Sequence, residues 1–355
     1  MADPIKPTDL AEALECLLKA GRRPLTHGDP GIGKSQITKQ VADRMFAPLY
    51  GYTVTNDGRL KNAETGKFTS KRPWFLEIRT AQLDACDLRG LPIVNGDGRA
   101  HWAPPEMFGR LDERGGVVFW DEINRGTELV SNSAFQMLDQ NRIGDCILPN
   151  TWGHVAAVND LDIGARKMSS ALMSRFVHLD AKTDLEDVCK YAVIQDWDST
   201  VVAFLRFRPE LLHKYDAKQR VSPNPRAWEF VSQIISQQPN PRLEFTLYAG
   251  AIGEGAAVEF MAFLKLYREL PSIDSILLNP EKSPVPTKPA TLYAVSSALA
   301  RRAAPKTFKA VVTYLERLPV EYNVMAIKDA VVRVEALRHD AVFTKWCIAH
   351  ADVAF

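Results

Sequence analysis

The chain has 355 residues, 46% of them hydrophobic and 25% charged, with a formal net charge of +1. That length accommodates two or three domains, each with its own core. The near-neutral balance argues against a protein that coats nucleic acid through general electrostatics. Five scattered cysteines (Cys16, Cys86, Cys146, Cys189, Cys347) form no CxxC pair, which argues against a disulfide framework or a structural zinc site and for reduced thiols. The opening MADPIKPTDLAEALECLLKAG lacks the basic-then-apolar pattern of a signal peptide, and no apolar run approaches the ~20 residues that cross a bilayer. A cytoplasmic protein without a membrane partner is expected.

In chain order, residues 8–20 read as an amphipathic helix with Thr8 as N-cap and Gly21 as its stop. RPLTHG leads as a short strand into a glycine-rich loop, and a helix follows over 35–44. Residues 47–73 are polar and turn-rich around Asn56-Asp57-Gly58, and read as a hairpin-like insertion outside the core. Strands are expected at 74–79, 117–120, 154–159 and 176–179, with a helix over 127–140. Strands alternating with helices predict an α/β fold, a parallel sheet covered on both faces. After residue 181 the pattern becomes helical, punctuated by proline-rich stretches at 222–225 and 284–289.

The string GDPGIGKS sets Gly28, Gly33, Lys34 and Ser35 at the G-x-x-x-x-G-K-S spacing. Such glycines let the backbone fold tightly, so that successive N–H groups point at phosphate oxygens, and the helix behind them adds its positive end. The nucleotide-binding stretch is Gly28, Asp29, Pro30, Gly31, Ile32, Gly33, Lys34, Ser35 and Gln36. Lys34 is suited to bridge the β- and γ-phosphates of ATP, and the Ser35 hydroxyl to ligate Mg²⁺. A chance glycine-rich turn is the bland reading, disfavoured by the strand before the loop and the helix after it. Four apolar residues, Val117 to Trp120, then deliver Asp121 and Glu122 at a strand's carboxyl end, where ligands bind in open α/β sheets. Asp121 is expected to hold Mg²⁺ and Glu122 to polarise the attacking water. An acidic pair that merely caps a turn is the alternative, weak beside the phosphate loop. Asn159 ends the third strand of this series and suits either a water-orienting amide or a turn-forming Asn-Asp. Arg175 and Arg226 suit either transition-state charge stabilisation or surface ion pairs.

Together the phosphate loop, WDEINR, a helix, a hairpin, AAVN, SRF and SPNPRAW resemble, over residues 10–240, the AAA+ ATPases and within them the MoxR-like group of bacterial and phage genomes. The resemblance implies a P-loop core with a parallel five-stranded sheet between helices over 1–180, an α-helical lid over 181–270 and a C-terminal helical extension over 271–355. It implies that Asn159 is sensor 1, Arg175 an arginine finger acting in trans and Arg226 the lid's sensor 2. Residues 87–108 resemble the helix-2 insert and 140–153 the hairpin before sensor 1, both facing the pore of a ring, with Arg125 near the subunit boundary. By the same resemblance the expected activity is Mg²⁺-dependent ATP hydrolysis in a homohexamer that remodels a partner protein, one with a von Willebrand A-type domain. The segments 47–73 and 271–355 depart from the group's simplest pattern. Two other readings stand beside it: a slow-turnover nucleotide switch, and a nucleic-acid motor. The motor draws on Arg59, Lys61, Lys67, Lys71 and Arg72 interleaved with Tyr50, Tyr52, Phe68 and Trp74, against which a solvated hairpin is the simpler account.

Overall fold

The computed structural model describes residues 3–159, 166–216 and 219–354. The chain divides into two compact units, one up to Thr183 and the second from Asp184. In the first, α1 (Pro7–Lys19), β1 (Pro24–His27) and α2 (Lys34–Phe46) precede three short strands, β2 (Tyr52–Val54), β3 (Leu60–Asn62) and β4 (Phe68–Thr69). Then come β5 (Phe75–Arg79), α3 (Ala85–Arg89), β6 (Leu91–Val94), β7 (Ala100–Ala103), β8 (Gly116–Asp121) and α4 (Glu128–Gln140). The unit closes with β9 (Arg142–Ile143), β10 (Cys146–Ile147), β11 (Trp152–Val158), α5 (Ser170–Met173) and β12 (Val177–Asp180).

Five strands form one sheet in the order β12-β1-β11-β8-β5, and every neighbouring pair runs parallel. Successive residues of a strand face opposite sides, and β8 shows what that does here. Val118 and Trp120 enter a core shared with Val130, Ala134 and Met137 of α4. Val117 and Phe119 enter another with Leu10 and Leu14 of α1 and Ile37 and Val41 of α2. Buried on both faces, the strand reads as a continuous apolar run, as parallel strands between helix layers do. In this strand order β11 lies between β1 and β8, so the carboxyl ends of all three stand side by side.

Helix ends follow local chemistry with one correction. Thr127 caps α4 by accepting from the Val130 N–H at 3.3 Å. Thr8 is not the cap of α1. That position falls to Lys6, because Pro7, with its preset φ and no N–H, already starts the helix. The helix does stop at Gly21, whose φ is 64°.

The insertion over 47–73 is a three-stranded antiparallel sheet, β2-β3-β4, and part of it belongs to the core. Leu60, Tyr50 and Trp74 are buried with α1 and α2. Tyr50 Oη donates to Asp112 and to the Gly115 carbonyl at 2.8 and 2.9 Å, while Trp74 Nε1 and Arg72 Nε donate to Asp43. Three of the four aromatics read as a stacking surface are therefore structural: the polar tips of Tyr50 and Trp74 find partners against α2 and the loop before β8, and Tyr52 packs on Trp74. Two hairpins, β6–β7 and β9–β10, stand where inserts are expected. They are tied together: the Trp102 N–H donates to Asp145 at 2.8 Å.

The second unit is helical. It comprises α6 (Leu185–Ile194), α7 (Ser199–Phe207), α8 (Pro225–Ser236), α9 (Glu244–Ile252), α10 (Glu254–Arg268), α11 (Ile273–Leu278), α12 (Pro289–Arg302), α13 (Phe308–Leu315), α14 (Val320–Arg333), α15 (Ala341–Ala349) and α16 (Ala351–Ala354). One core gathers around Phe204, Trp228 and Phe260, another around Phe308, Tyr314 and Leu315, and Tyr293 of α12 packs against both. Arg206 of α7 and Asp329 of α14 form a buried bidentate pair, so helices on either side of residue 270 share one unit. No helix among the described residues is long and apolar enough to cross a membrane.

Candidate functional site

The loop between β1 and α2 turns on three glycines with positive φ: Gly28 (149°), Gly31 (83°) and Gly33 (101°). Space and backbone decide differently at the two ends. A Cβ on Gly28 would lie 2.6 Å from Ile32 Cδ1 and 2.9 Å from the Ala181 carbonyl oxygen, whereas one on Gly33 would meet nothing closer than 4.0 Å. Gly33 is thus required by its left-handed conformation at the mouth of α2. Asp29, Pro30 and Gly31 are half-buried in the turn, Ile32 anchors it in the interior, and Ser35 sits half-buried in the first turn of α2 with Gln36 exposed beyond it.

Lys34 is buried. Its ammonium donates to the Gly28 carbonyl at 2.5 Å, to the Asp29 carbonyl at 2.9 Å and to Asn159 Oδ1 at 2.6 Å. Asn159, itself buried just past β11, turns its Nδ2 toward Glu122 Oε1 at 3.4 Å. One side-chain amide therefore spans the lysine of the phosphate loop and the second acid of the strand pair. Asp160, which an Asn-Asp turn would require, lies outside the described residues.

Asp121 ends β8, and Glu122 follows in a left-handed conformation (φ 51°, ψ 44°), uncommon for a residue with a Cβ. Two contacts hold it there. Buried Thr80, just after β5, donates its hydroxyl to the Glu122 carbonyl at 2.6 Å, and Arg125 Nη1 meets Glu122 Oε2 at 3.2 Å. Nothing in the sequence around Thr80 marks it as part of the site. Its place beside β8 comes from the pairing of β5, with Arg79 opposite Asp121. Burial, followed by the charges of Glu122 and Glu77, raises the pKa of Asp121, while Arg79 and Lys34 oppose the shift. A half-buried carboxylate crowded by two others is relieved by a cation, so the donor set of Ser35 and Asp121 fits a hard divalent ion. The glycine turn, Lys34 and the start of α2 fit a polyphosphate.

The two arginines are carried by other elements. Arg175, between α5 and β12, bonds Asp139 at 3.2 Å and the Ala171 carbonyl at 3.0 Å, and its guanidinium lies 4.6 Å over the Phe135 ring. Its partners among the described residues are on or beside α4 and α5. Arg226 is the exposed second residue of α8 in the other unit, in a turn capped by Asn224, which accepts from the Ala227 N–H at 3.0 Å.

With this geometry in view, residues 25–176 match the AAA domain of the dynein-related subfamily. The first unit carries an AAA+ P-loop fold. The match spans less than half of the 355 residues. A comparison with curated proteins finds no match. Among solved structures, NtrX from Brucella abortus aligns with a TM-score of 0.40 and 12% identity, over 93% of this chain and 69% of its own. The RuvB Holliday junction branch migration motor of Thermotoga maritima aligns at 0.35 and 14%, over 86% of each chain. At that similarity neither protein's activity transfers to this chain.

Proposed function

We propose that the protein is a Mg²⁺-dependent ATPase of the MoxR-like kind, working as a homohexameric ring that remodels a partner protein. The observation that carries the catalytic part is the Lys34–Asn159–Glu122 chain of contacts, assembled at the carboxyl ends of three adjacent parallel strands. In this reading the backbone of residues 28–36 and the Lys34 ammonium hold the ATP phosphates. Ser35 and Asp121 hold Mg²⁺, which when bound neutralises charge on the β- and γ-phosphates. Glu122 orients and deprotonates the attacking water, and Asn159 couples that carboxylate to the lysine that senses the γ-phosphate. Arg175, whose partners lie on and beside α4 and α5, serves the nucleotide of a neighbouring subunit, and Arg226 contributes from the lid.

The ring, its remodelling work and a partner with a von Willebrand A-type domain rest on the motif resemblance. The matched AAA domain and the two hairpins bearing exposed Leu91, Val94 and Ile147 suit the ring, and the partner rests on the resemblance alone. The test is ATP hydrolysis and nucleotide binding in the presence of Mg²⁺. Lys34→Ala should lose ATP affinity. Glu122→Gln should keep it and lose turnover by at least about 10²-fold, the range in which positioned acid–base groups act. Brisk hydrolysis by Glu122→Gln removes that residue as the base and with it the mechanism.

A further inference from the structure

The sheet β2-β3-β4 has two unlike faces, and its register separates them. Thr53 pairs with Lys61 and Lys61 with Phe68, so these three form one row on the same face. The opposite face carries Leu60, fully buried, and Tyr52, whose ring packs 5.5 Å from that of Trp74. The inner face thus accounts for how the insertion is anchored, and the outer row owes nothing to the core.

On that outer face Phe68 is 55% exposed, and the Arg59 guanidinium lies 4.6 Å over its ring. Lys61 shares the row of Phe68, Lys67 and Lys71 are exposed in the chain that flanks β4, and among the described residues no carboxylate pairs with any of the three. The segment's two acids do not cancel them: Asp57 is bound to Arg59, and Glu64 is exposed at the β3–β4 turn. An exposed aromatic ring already accepting a cation, with one lysine in its row and two in the adjoining chain, offers a stacking surface and phosphate partners together.

We infer that the outer face of β2-β3-β4 is a binding site for single-stranded nucleic acid, with Phe68 stacking on a base, Lys61 contacting the phosphate beside it, and the flexible Lys67 and Lys71 side chains reaching further phosphates from the chain on either side of β4. A duplex hides its base faces and would leave the ring unused. An acidic polypeptide would use the charges and leave the ring unused as well. Strands of two or three residues span roughly 10 Å, enough for a few nucleotides, so one subunit gives a short footprint. The site is separate from the phosphate loop and holds whether or not that loop turns over ATP.

Fluorescence anisotropy of the full-length protein with a labelled oligothymidylate of about 20 nucleotides, titrated across about 50 to 200 mM salt, tests it. The wild type should bind. Phe68→Ala should weaken binding about 5- to 150-fold, the equivalent of ~1–3 kcal/mol for one lost base stack. A triple Lys61/Lys67/Lys71→Ala variant should flatten the slope of log affinity against log salt by about 2. Phe68 and the lysines are exposed, so unstimulated ATP turnover should stay at the wild-type rate and report intact folding. The inference fails if the wild type does not bind at low salt, or if Phe68→Ala binds as tightly as the wild type. It fails equally if polyglutamate displaces the oligonucleotide as well as unlabelled strand does, which would assign the face to an acidic protein.

Discussion

Glu122 shows how much of the site depends on single contacts. Its left-handed backbone is held by the Thr80 hydroxyl, and its carboxylate oxygens are approached by Arg125 on one side and Asn159 on the other. The Arg125 guanidinium takes up one acceptor site of Glu122 and holds its negative charge, so opening the pair leaves the carboxylate freer to take a proton from water. The pair is about one-third exposed on both sides, so it is worth no more than ~1 kcal/mol. Arg125→Ala is therefore expected to raise unstimulated turnover by up to about fivefold, measured as ATP hydrolysis at saturating nucleotide. A fall in turnover would instead make Arg125 a residue that positions Glu122 productively.

Among elements, the contact between β8, β11 and the end of α4 carries a titratable group. His154 of β11 is fully enclosed. It accepts from Trp120 Nε1 of β8 at 3.1 Å through Nδ1, which leaves its Nε2–H to donate to Asn141 Oδ1 at 3.0 Å. Burial, with a smaller push from the Arg23 charge, lowers its pKa to about 3. The folded protein therefore keeps the ring neutral where the unfolded chain, titrating near ~6.5, already takes up a proton. Above that pH the two states bind equally and stability is full. Below it the unfolded state gains, and stability falls by ~1.4 kcal/mol per pH unit until the folded ring titrates near 3. Urea denaturation should show a loss of about 2 kcal/mol between pH 6.5 and 5 from this residue. A His154→Gln variant should lack that component, and an unchanged pH slope in the variant would rule it out.

For the whole molecule, the proposed shared site makes assembly part of catalysis. Arg175 keeps contacts with Asp139, Ala171 and Phe135 in its own subunit, and in the proposed ring the charge that acts on a given nucleotide would be the Arg175 of the next subunit. Arg175→Ala should bind ATP and lose most turnover. The stricter expectation concerns mixtures. An Arg175→Ala subunit retains Glu122, and a Glu122→Gln subunit retains Arg175, so combining two inactive proteins should restore hydrolysis at the interfaces that pair the intact residues. Mixtures as inactive as their components, with a wild-type rate per subunit independent of concentration, would show that the finger does not act in trans.

Much of this molecule is legible in its sequence, and the reason is range. A phosphate loop needs its glycines, lysine and serine within eight consecutive positions, and a buried parallel strand announces itself as an unbroken apolar run such as Val117–Trp120. Both signals are local, so a parallel sheet with a phosphate loop at its carboxyl ends follows from the residues alone. The contacts that give the site its geometry are not local. Lys34 and Asn159 lie 125 positions apart, and Thr80 reaches Glu122 across 42; only the order in which strands join the sheet brings them together. The same limit explains the insertion, where an alternation of basic and aromatic residues reads as one surface. Register sends Lys61 and Phe68 outward, and packing takes Tyr50 and Trp74 into the core, because buried polar tips must find partners that only the assembled fold supplies.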